Sequence, residues 1–245
     1  MSEAFVWGVF GASSLLFGGL IVMWRPVGQG ALGLIMAFGA GVLISAVAYE
    51  LVAEALETGG EYWPIALGLG AGGLTFFAGD WYIDRLGGEN RKSSDQESDG
   101  GSALALTLGI ILDGIPESIT LGLTLLTGEG VSVAMLAAVF LSNLPESMAA
   151  TTGFVKSGRS PRWIIGLWVA IVVICGFASA AGYALLDTAS DTAIAFVLAF
   201  AGGAVLTMLA DTMMPEAYKY GGKQVGLMTT FGFAVAAAIV AMERA

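Results

Sequence analysis

Long runs of apolar residues with almost no charge are the feature that most limits how this chain can fold. A helix of about 20 such residues matches the thickness of a bilayer core. Of the 245 residues, 56% are hydrophobic and only 12% are charged, a composition that excludes an ordinary soluble domain. Because a spanning segment in lipid must satisfy its own backbone hydrogen bonds, the sequence predicts an all-α polytopic membrane protein.

Eight stretches are candidate transmembrane helices. We predict them at roughly 5–23, 31–56, 64–83, 103–126, 131–154, 164–186, 192–216 and 224–242. Their connections are short except for 84–102, a polar stretch rich in Gly and Ser that we expect to be a mobile cytoplasmic loop. The whole chain, 1–245, is then a single transmembrane domain.

The positions of Lys and Arg predict the orientation, because positively charged loops tend to stay cytoplasmic. With the N-terminus outside, nine of the ten Lys and Arg residues fall in inside loops, and only Arg244 falls outside. The first span has Glu3 before it and Arg25 after it, which favours a retained helix over a cleaved signal peptide. We therefore expect a multi-pass protein of the plasma (inner) membrane with both termini outside.

The composition also restricts the partners. Basic residues are scarce and scattered over loops, so no nucleic-acid partner is expected. The single cysteine, Cys175, excludes an intrachain disulfide framework. The lipid bilayer is the expected surrounding, and both a monomer and a homodimer remain open.

Two copies of one short motif lie in the middle of the chain. LDGIPES at 112–118 and LSNLPES at 141–147 are 29 residues apart and fall in consecutive predicted spans. Each proline withholds an N–H from the carbonyl one turn earlier, so each helix gains a free main-chain acceptor beside its glutamate. A carboxylate and a broken helix at this depth predict a functional site.

The side chains of the two motifs are oxygen acceptors. Asp113 and Glu117 are four residues apart and share one helix face, and Ser142, Asn143 and Glu146 lie close together on the next helix. No Lys or Arg lies within a predicted span core, so such a set requires protons or a cation. The alternative is that each glutamate is protonated or bonded to Ser or Thr of a neighbouring helix, and that the prolines only shape the bundle.

A second repeat flanks the first. Residues 37–60 align without a gap onto 199–222 with eight identities, including Glu54 over Glu216. The second span thus corresponds to the seventh and crosses in the opposite direction, as the fourth does to the fifth. Such an inverted 3+2+3 arrangement is typical of secondary transporters. The alternative is a chance alignment of small and apolar residues.

Four further acids are candidates for a cation pathway. Glu50 and Glu54 lie in the second span, and Asp211 and Glu216 lie in the seventh. The predicted topology places Glu54 near the outer mouth and Glu216 near the inner one, with Glu50 and Asp211 deeper. The alternative is that these are interfacial acids that water solvates.

With these motifs in this topology, the sequence resembles the ZIP family of divalent metal transporters. That family typically has eight spans, both termini outside, a variable cytoplasmic loop after span 3, and paired motifs of the kind His-Asn-x-Pro-Glu-Gly and His-x-x-Pro-Glu-Gly. Pro116 and Glu117 match the first motif, and Pro145 and Glu146 match the second. The resemblance implies a metal site, often binuclear in the family, at Asp113, Glu117, Ser142, Asn143 and Glu146.

The chain departs from the family in its ligand types. It contains no histidine, and Asp113, Gly114 and Ser142 stand at motif positions where the family has histidine or asparagine. An all-oxygen set suits manganese, magnesium and calcium, and it still admits ferrous iron or zinc. Because Gly114 offers no side-chain ligand, we expect one good metal site at most.

Together these features predict a secondary transporter that moves a divalent metal cation, with zinc, manganese and iron as candidates, toward the cytoplasm between spans 4 and 5. The metal is the substrate, no cofactor is expected, and the protein is not expected to be an enzyme. One alternative is an intramembrane hydrolase that uses Asp113 with Glu117 or Glu146 as an acid pair. Another is a homologue that senses metal without transporting it.

Overall fold

The structure is a computed structural model that describes residues 1–59, 62–85, 100–126 and 130–244, and the side chains of 100–106 are outside that description. Helix makes up 91% of the structure, and no strand occurs in the described ranges. The helices are α1 (Ser2–Trp24), α2 (Gln29–Ala46), α3 (Ala53–Gly59), α4 (Tyr62–Ile83), α5 (Gly100–Thr124), α6 (Val133–Lys156), α7 (Pro161–Leu186), α8 (Asp191–Met208), α9 (Met214–Gly221) and α10 (Val225–Glu243).

Five helical stretches of the described chain are long and apolar enough to cross a membrane. They are Ser2–Trp24, Gln29–Gly59, Val133–Lys156, Pro161–Leu186 and Asp191–Glu243. The last stretch is 53 residues long, more than twice what one crossing needs, and it contains both α8 and α10. The all-helical class is confirmed, the five stretches fit a multi-pass membrane protein, and eight crossings stay a prediction.

Most of the predicted cytoplasmic loop, 84–102, lies outside the described residues. Its first two residues, Asp84 and Arg85, continue a helical turn after α4. Its last three residues belong to α5, which begins at Gly100 rather than at the predicted 103.

Serine caps start three of the helices. The hydroxyl oxygens of Ser132, Ser160 and Ser190 accept a hydrogen bond from the main-chain N–H three residues later, at the starts of α6, α7 and α8. Each bond satisfies an N–H group that has no partner within its helix. Pro161 follows the second cap at a first-turn position, where its missing N–H costs nothing.

Two helices contain a π-helical turn at equivalent places of the flanking repeat. Val47–Val52 joins α2 to α3, and Leu209–Met213 joins α8 to α9. In the ungapped alignment of 37–60 with 199–222, Val47 falls on Leu209. Such turns insert a residue into the helical ladder, re-aim the side chains that follow, and are frequent at functional sites.

Glycines allow α2 and α10 to pack backbone to backbone. A Cβ at Gly41 would collide with the carbonyl oxygen of Thr229, and a Cβ at Gly232 would collide with that of Phe38. Since small residues are what lets membrane helices approach closely, this reciprocal contact fixes the register of the pair.

The α4 and α8 pair repeats the same arrangement. A Cβ at Gly203 would collide with the carbonyl oxygen of Leu69, and a Cβ at Gly72 would collide with that of Phe200. Gly203 and Phe200 are the residues that align with Gly41 and Phe38 in the flanking repeat. The two helix pairs therefore make matching contacts at aligned positions.

The remaining long helices pack into one bundle with these pairs. α1 contacts α6 and α7, α7 also contacts α5, and α2 contacts α6. In α6 and in the α2–α3 stretch, 67% of the most apolar window is buried, against 44% in α1 and in α7, so α2 and α6 are central. Large apolar side chains such as Trp24, Tyr62 and Leu185 are exposed on the outside, as expected of a surface in contact with lipid.

Candidate functional site

The first Pro-Glu motif lies within α5, which continues through Pro116 as one helix. Asp113 and Glu117 are buried, with 2% and 1% of their surface exposed. Both carboxylate oxygens of each residue are shielded from solvent. The i, i+4 spacing therefore places two carboxylates on an interior face of α5, beside the carbonyl of Leu112 that Pro116 leaves without its helical donor.

The second motif lies within α6 and continues through Pro145. Ser142, Asn143 and Glu146 are all buried, at 5% exposure or less. The Ser142 hydroxyl donates to the carbonyl of Val139 at 3.1 Å, so its oxygen lone pairs remain available to accept. The structure thus buries every side chain of the predicted metal site.

Gly39 of α2 packs against the second motif. A Cβ at this position would lie 3.3 Å from the Leu141 carbonyl oxygen and from the Ser142 Cα, and 3.1 Å from the Met213 side chain. The Leu141 carbonyl is the acceptor that Pro145 leaves without its helical partner. The absence of a side chain at Gly39 therefore keeps space beside that oxygen.

Gly114 packs against α7 through Cys175. A Cβ at Gly114 would lie 3.2 Å from the Cys175 sulfur, and the thiol contacts the Gly114 carbonyl oxygen at 4.0 Å. The thiol therefore fills the space that a side chain at this position would take. Cys175 is a buried packing residue beside the first motif.

The acids of the two motifs do not form a compact ligand set. Within the described ranges, no three His, Cys, Asp or Glu side chains come together in a way that could hold a metal ion. A cation bound in this conformation would have fewer than three carboxylate ligands. Ser142, Asn143 or a main-chain carbonyl would complete its coordination.

A separate cavity opens at the end of the bundle where α5 ends and α6 begins. Its volume is about 590 Å³, and Leu123 and Thr124 of α5 form part of its wall. We call it the acidic cavity because it is lined by Glu50, Glu54, Glu57 and Glu243, together with Arg244 and Ser132. The two predicted pathway acids of the second span, Glu50 and Glu54, therefore line one cavity.

Ser132 joins three elements at the acidic cavity. Its hydroxyl donates to the Glu50 carboxylate at 2.5 Å and accepts from the Met135 N–H at 3.0 Å. Its own N–H donates to the Thr124 hydroxyl at 3.3 Å, which joins the start of α6 to the end of α5. This one residue caps α6 and positions a carboxylate of the π-helical turn.

The side chains of the two buried motifs lie at different distances from the acidic cavity along their helices. On α5, Glu117 is six residues before Leu123, about 9 Å along the helix axis. On α6, Ser142 is ten residues after Ser132 and Glu146 is fourteen after it, about 15 and 21 Å along the axis. Glu117 is therefore the motif acid nearest the acidic cavity along its helix, and Glu146 is the farthest.

The two predicted pathway acids of the seventh span lie elsewhere. Asp211 is exposed within the π-helical turn Leu209–Met213, and Glu216 is buried, with 8% of its surface exposed. Neither of them lines the acidic cavity. The structure thus brings Glu50 and Glu54 together and leaves Asp211 and Glu216 outside that group.

Ser132, Glu57 and Glu243 also line this cavity but are not among the residues that the sequence predicts for the site. A serine directly before an apolar helix is a capping signal, so Ser132 was recognisable as the start of α6. No local pattern indicates that Glu243 or Glu57 reaches the same space, because that depends on how α10 and α3 pack.

Comparisons with known proteins identify no family for this chain. A scan against protein-family models finds no match, and a search of curated proteins finds no similar sequence. What the chain does is therefore inferred from its own residues and their arrangement.

Proposed function

We propose that the chain is a secondary transporter that carries a divalent metal cation toward the cytoplasm, through the carboxylates of α5 and α6. The observation that carries the proposal is the sign of the buried charge. Within the part of the chain that the structure describes, the buried charged residues are all acids, and three of them, Asp113, Glu117 and Glu146, belong to the Pro-Glu motifs. An acidic membrane interior is suited to a mobile cation.

The donor chemistry indicates a hard or borderline divalent ion. Carboxylates, a hydroxyl, an amide and proline-freed carbonyls are all oxygen ligands, which suit manganese and admit ferrous iron and zinc. The ZIP resemblance implies the same class of substrate. Since Gly114 provides no ligand and Cys175 fills its place, one metal site on the motifs is the simplest arrangement.

Matching contacts in the two flanking groups support an inverted repeat. Gly41 and Gly203 are aligned, and each of them packs against a main-chain carbonyl of a neighbouring helix. The π-helical turns Val47–Val52 and Leu209–Met213 also fall at aligned positions. Two similar helix groups around a central pair are the arrangement that allows alternating access by rocking of one group against the other.

The same proposal includes eight crossings with both termini outside, in a plasma (inner) membrane. α4 and α5 cross in addition to the apolar stretches given above, and α8 and α10 cross separately. The distribution of Lys and Arg supports this topology, since nine of the ten then lie inside. The acidic cavity would open to the outside, where a cation enters.

Metal uptake into proteoliposomes tests this function. The purified chain is reconstituted, and uptake of Mn²⁺, Fe²⁺ or Zn²⁺ is measured for the wild type, Glu117→Gln and Glu146→Gln. Each variant keeps the side-chain size and removes a charged ligand, so we expect at least a tenfold loss of uptake. Glu3→Gln, an exposed acid at the start of α1, is the matched control and retains uptake.

The outcome separates the alternatives. Uptake that survives both motif substitutions would show that the substrate path lies elsewhere. Metal binding that depends on Glu117 and Glu146 without uptake would identify a sensor. Cleavage of a membrane peptide that depends on the same acids would identify a hydrolase.

A further inference from the structure

The end of α10 lies across the acidic cavity and contacts two other elements there. Its last two charged residues, Glu243 and Arg244, line the cavity with opposite charges. Each of them bonds to a different helix, so the end of α10 ties the start of α6 to the π-helical turn of the second span. Neither contact involves a residue of the Pro-Glu motifs.

Glu243 caps the first turn of α6. Its two carboxylate oxygens accept from the N–H groups of Val133 at 2.8 Å and Ala134 at 2.9 Å. The N–H of Met135 donates to the Ser132 hydroxyl, and the N–H of Ser132 itself donates to the Thr124 hydroxyl. All four N–H groups that the helix itself leaves open are thereby satisfied, and a negative charge lies at the positive end of the helix dipole.

Arg244 reaches the opposite wall. Its guanidinium donates to the Tyr49 carbonyl oxygen, within the π-helical turn, at 2.8 Å. It also lies 3.8 Å from a Glu50 oxygen and 4.0 Å from a Glu57 oxygen. The side chain of Arg244 is 43% exposed, that of Glu57 is 69% exposed and that of Glu50 is 10% exposed, so the ion pair with Glu57 is open to water and to other cations, whereas the Glu50 side of the other pair is nearly buried.

Negative charges outnumber positive ones in the acidic cavity. Four glutamates and one arginine line it, so its formal charge is −3 when all five groups are ionised. Arg244 is the one cationic side chain of the described lining, and it occupies the position between Glu50 and Glu57. A cation that enters this space meets the guanidinium as its direct competitor.

We propose that Arg244 is a displaceable latch, a built-in counter-cation that holds the end of α10 to the second span until a divalent cation takes its place between Glu50 and Glu57. This inference rests on the transport function proposed above and assigns the step before the ion reaches Glu117. The exposed ion pair with Glu57 is weak, and a divalent ion brings twice the charge of a guanidinium to the less exposed Glu50. Displacement frees the end of α10 from the π-helical turn while Glu243 still holds it to α6.

Uptake kinetics provide the first test. In proteoliposomes of the full chain, Arg244→Gln removes the competing charge, so we expect the KM for Mn²⁺ to fall about fivefold, the ratio that an ordinary exposed ion pair represents. Arg244→Lys keeps the charge and should retain the higher KM. Lys223→Gln, which removes one exposed positive charge outside the acidic cavity, is the matched control and leaves the KM unchanged. An unchanged KM in Arg244→Gln would overturn the latch.

A distance measurement tests the latch without transport. Spin labels at Leu56→Cys and Met242→Cys, both exposed positions, report the separation of α3 from the end of α10 by pulsed electron resonance. We expect saturating Zn²⁺ to lengthen the distance, sodium at equal ionic strength to leave it unchanged, and Arg244→Gln to show the longer distance without metal. The wild-type chain, with its buried Cys175, reports background labelling.

The two measurements can reject the latch and the proposed function independently. A chain that takes up metal while the label distance ignores both Zn²⁺ and Arg244→Gln has no latch, and the proposed function stands. A chain whose label distance responds to Zn²⁺ but which moves no metal has the latch, and the proposed function fails.

Discussion

At the scale of single residues, buried carboxylates are the costly feature of this molecule. Placing an ionised Asp or Glu at the centre of a bilayer costs about 2.5–3.5 kcal/mol on insertion scales. Asp113, Glu117 and Glu146 are each at least 95% buried on proline-containing helices. Three such costs on two consecutive helices are understandable when the side chains serve a passing cation.

Ser132 offers a test of how one residue links two elements. Ser132→Ala loses the cap of α6 and the hydrogen bond to Glu50, and we expect it to lower the free energy of unfolding by about 2 kcal/mol. Ser160→Ala removes a cap of α7 whose serine bonds to no carboxylate within the described part of the chain, and it should cost about 1 kcal/mol. Thermal unfolding in detergent, followed by tryptophan fluorescence, measures both. Equal losses would mean that the bond to Glu50 contributes nothing.

Ser132 also shows which contacts the local sequence predicts and which it does not. The serine at the start of an apolar helix was recognisable as a cap, and the acids beside the prolines were recognisable as candidate ligands. The bond from Ser132 to Glu50 joins residues 82 apart, and the bond from Arg244 to Tyr49 joins residues 195 apart. Contacts of this kind depend on how distant helices pack, which no local spacing encodes.

At the scale of helices, hydropathy predicts where apolar helices lie but not where a helix contains an irregular turn. The predicted spans 31–56 and 192–216 were single helices, whereas the structure has a π-helical turn within each. An extra residue in one turn leaves composition and length unchanged, so an apolar run carries no signal for it. The glycines are more informative, because their contacts decide which helices can touch.

Two glycines in α4 test the close helix contact. Gly72→Ala places a Cβ against the Phe200 carbonyl oxygen, a backbone atom that cannot move aside without shifting α8. We expect a loss of about 1–3 kcal/mol or failure to accumulate as folded protein. Gly70→Ala, two residues earlier on the same helix, meets nothing within 4 Å and should be neutral or slightly stabilising.

Size-exclusion profiles and apparent melting temperatures of the two variants compare them directly. If Gly72→Ala behaves like Gly70→Ala, α4 and α8 do not pack backbone to backbone. An equivalent pair on α8, Gly203→Ala against Gly202→Ala, gives an independent check, because only the former meets a carbonyl oxygen at collision distance. Agreement between the two pairs would also favour the repeat.

At the scale of the whole molecule, the number of crossings decides which ends of the helices share a compartment. The sequence predicted eight crossings from hydropathy and charge, and five described stretches satisfy a test of length and hydropathy. The two numbers differ partly because α4 and α5 are less apolar or only partly described. They also differ because Asp191–Glu243 is one continuous stretch that contains two apolar helices. Hydropathy alone does not separate one long stretch from two crossings joined by a tight turn.

Accessibility of engineered cysteines to a membrane-impermeant maleimide distinguishes these topologies. Thr188→Cys, between α7 and α8, lies outside in both, and Gly28→Cys, between α1 and α2, lies inside in both. Met242→Cys, 78% exposed near the end of α10, is the discriminating position. Separate crossings of α8 and α10 place it outside with Thr188, whereas one crossing by Asp191–Glu243 places it inside with Gly28.

We expect Thr188→Cys and Met242→Cys to react in intact cells, and Gly28→Cys to react only after the cells are permeabilised. The unmodified chain, with Cys175 buried, should stay unlabelled under both conditions. Labelling of Gly28→Cys alone in intact cells would reverse the orientation, and protection of Met242→Cys would remove the eighth crossing. A reversed orientation would also move the acidic cavity to the cytoplasmic side, and a cation would then leave through it rather than enter, whereas loss of the eighth crossing alone would contradict the contacts of Glu243 and Arg244 in that cavity.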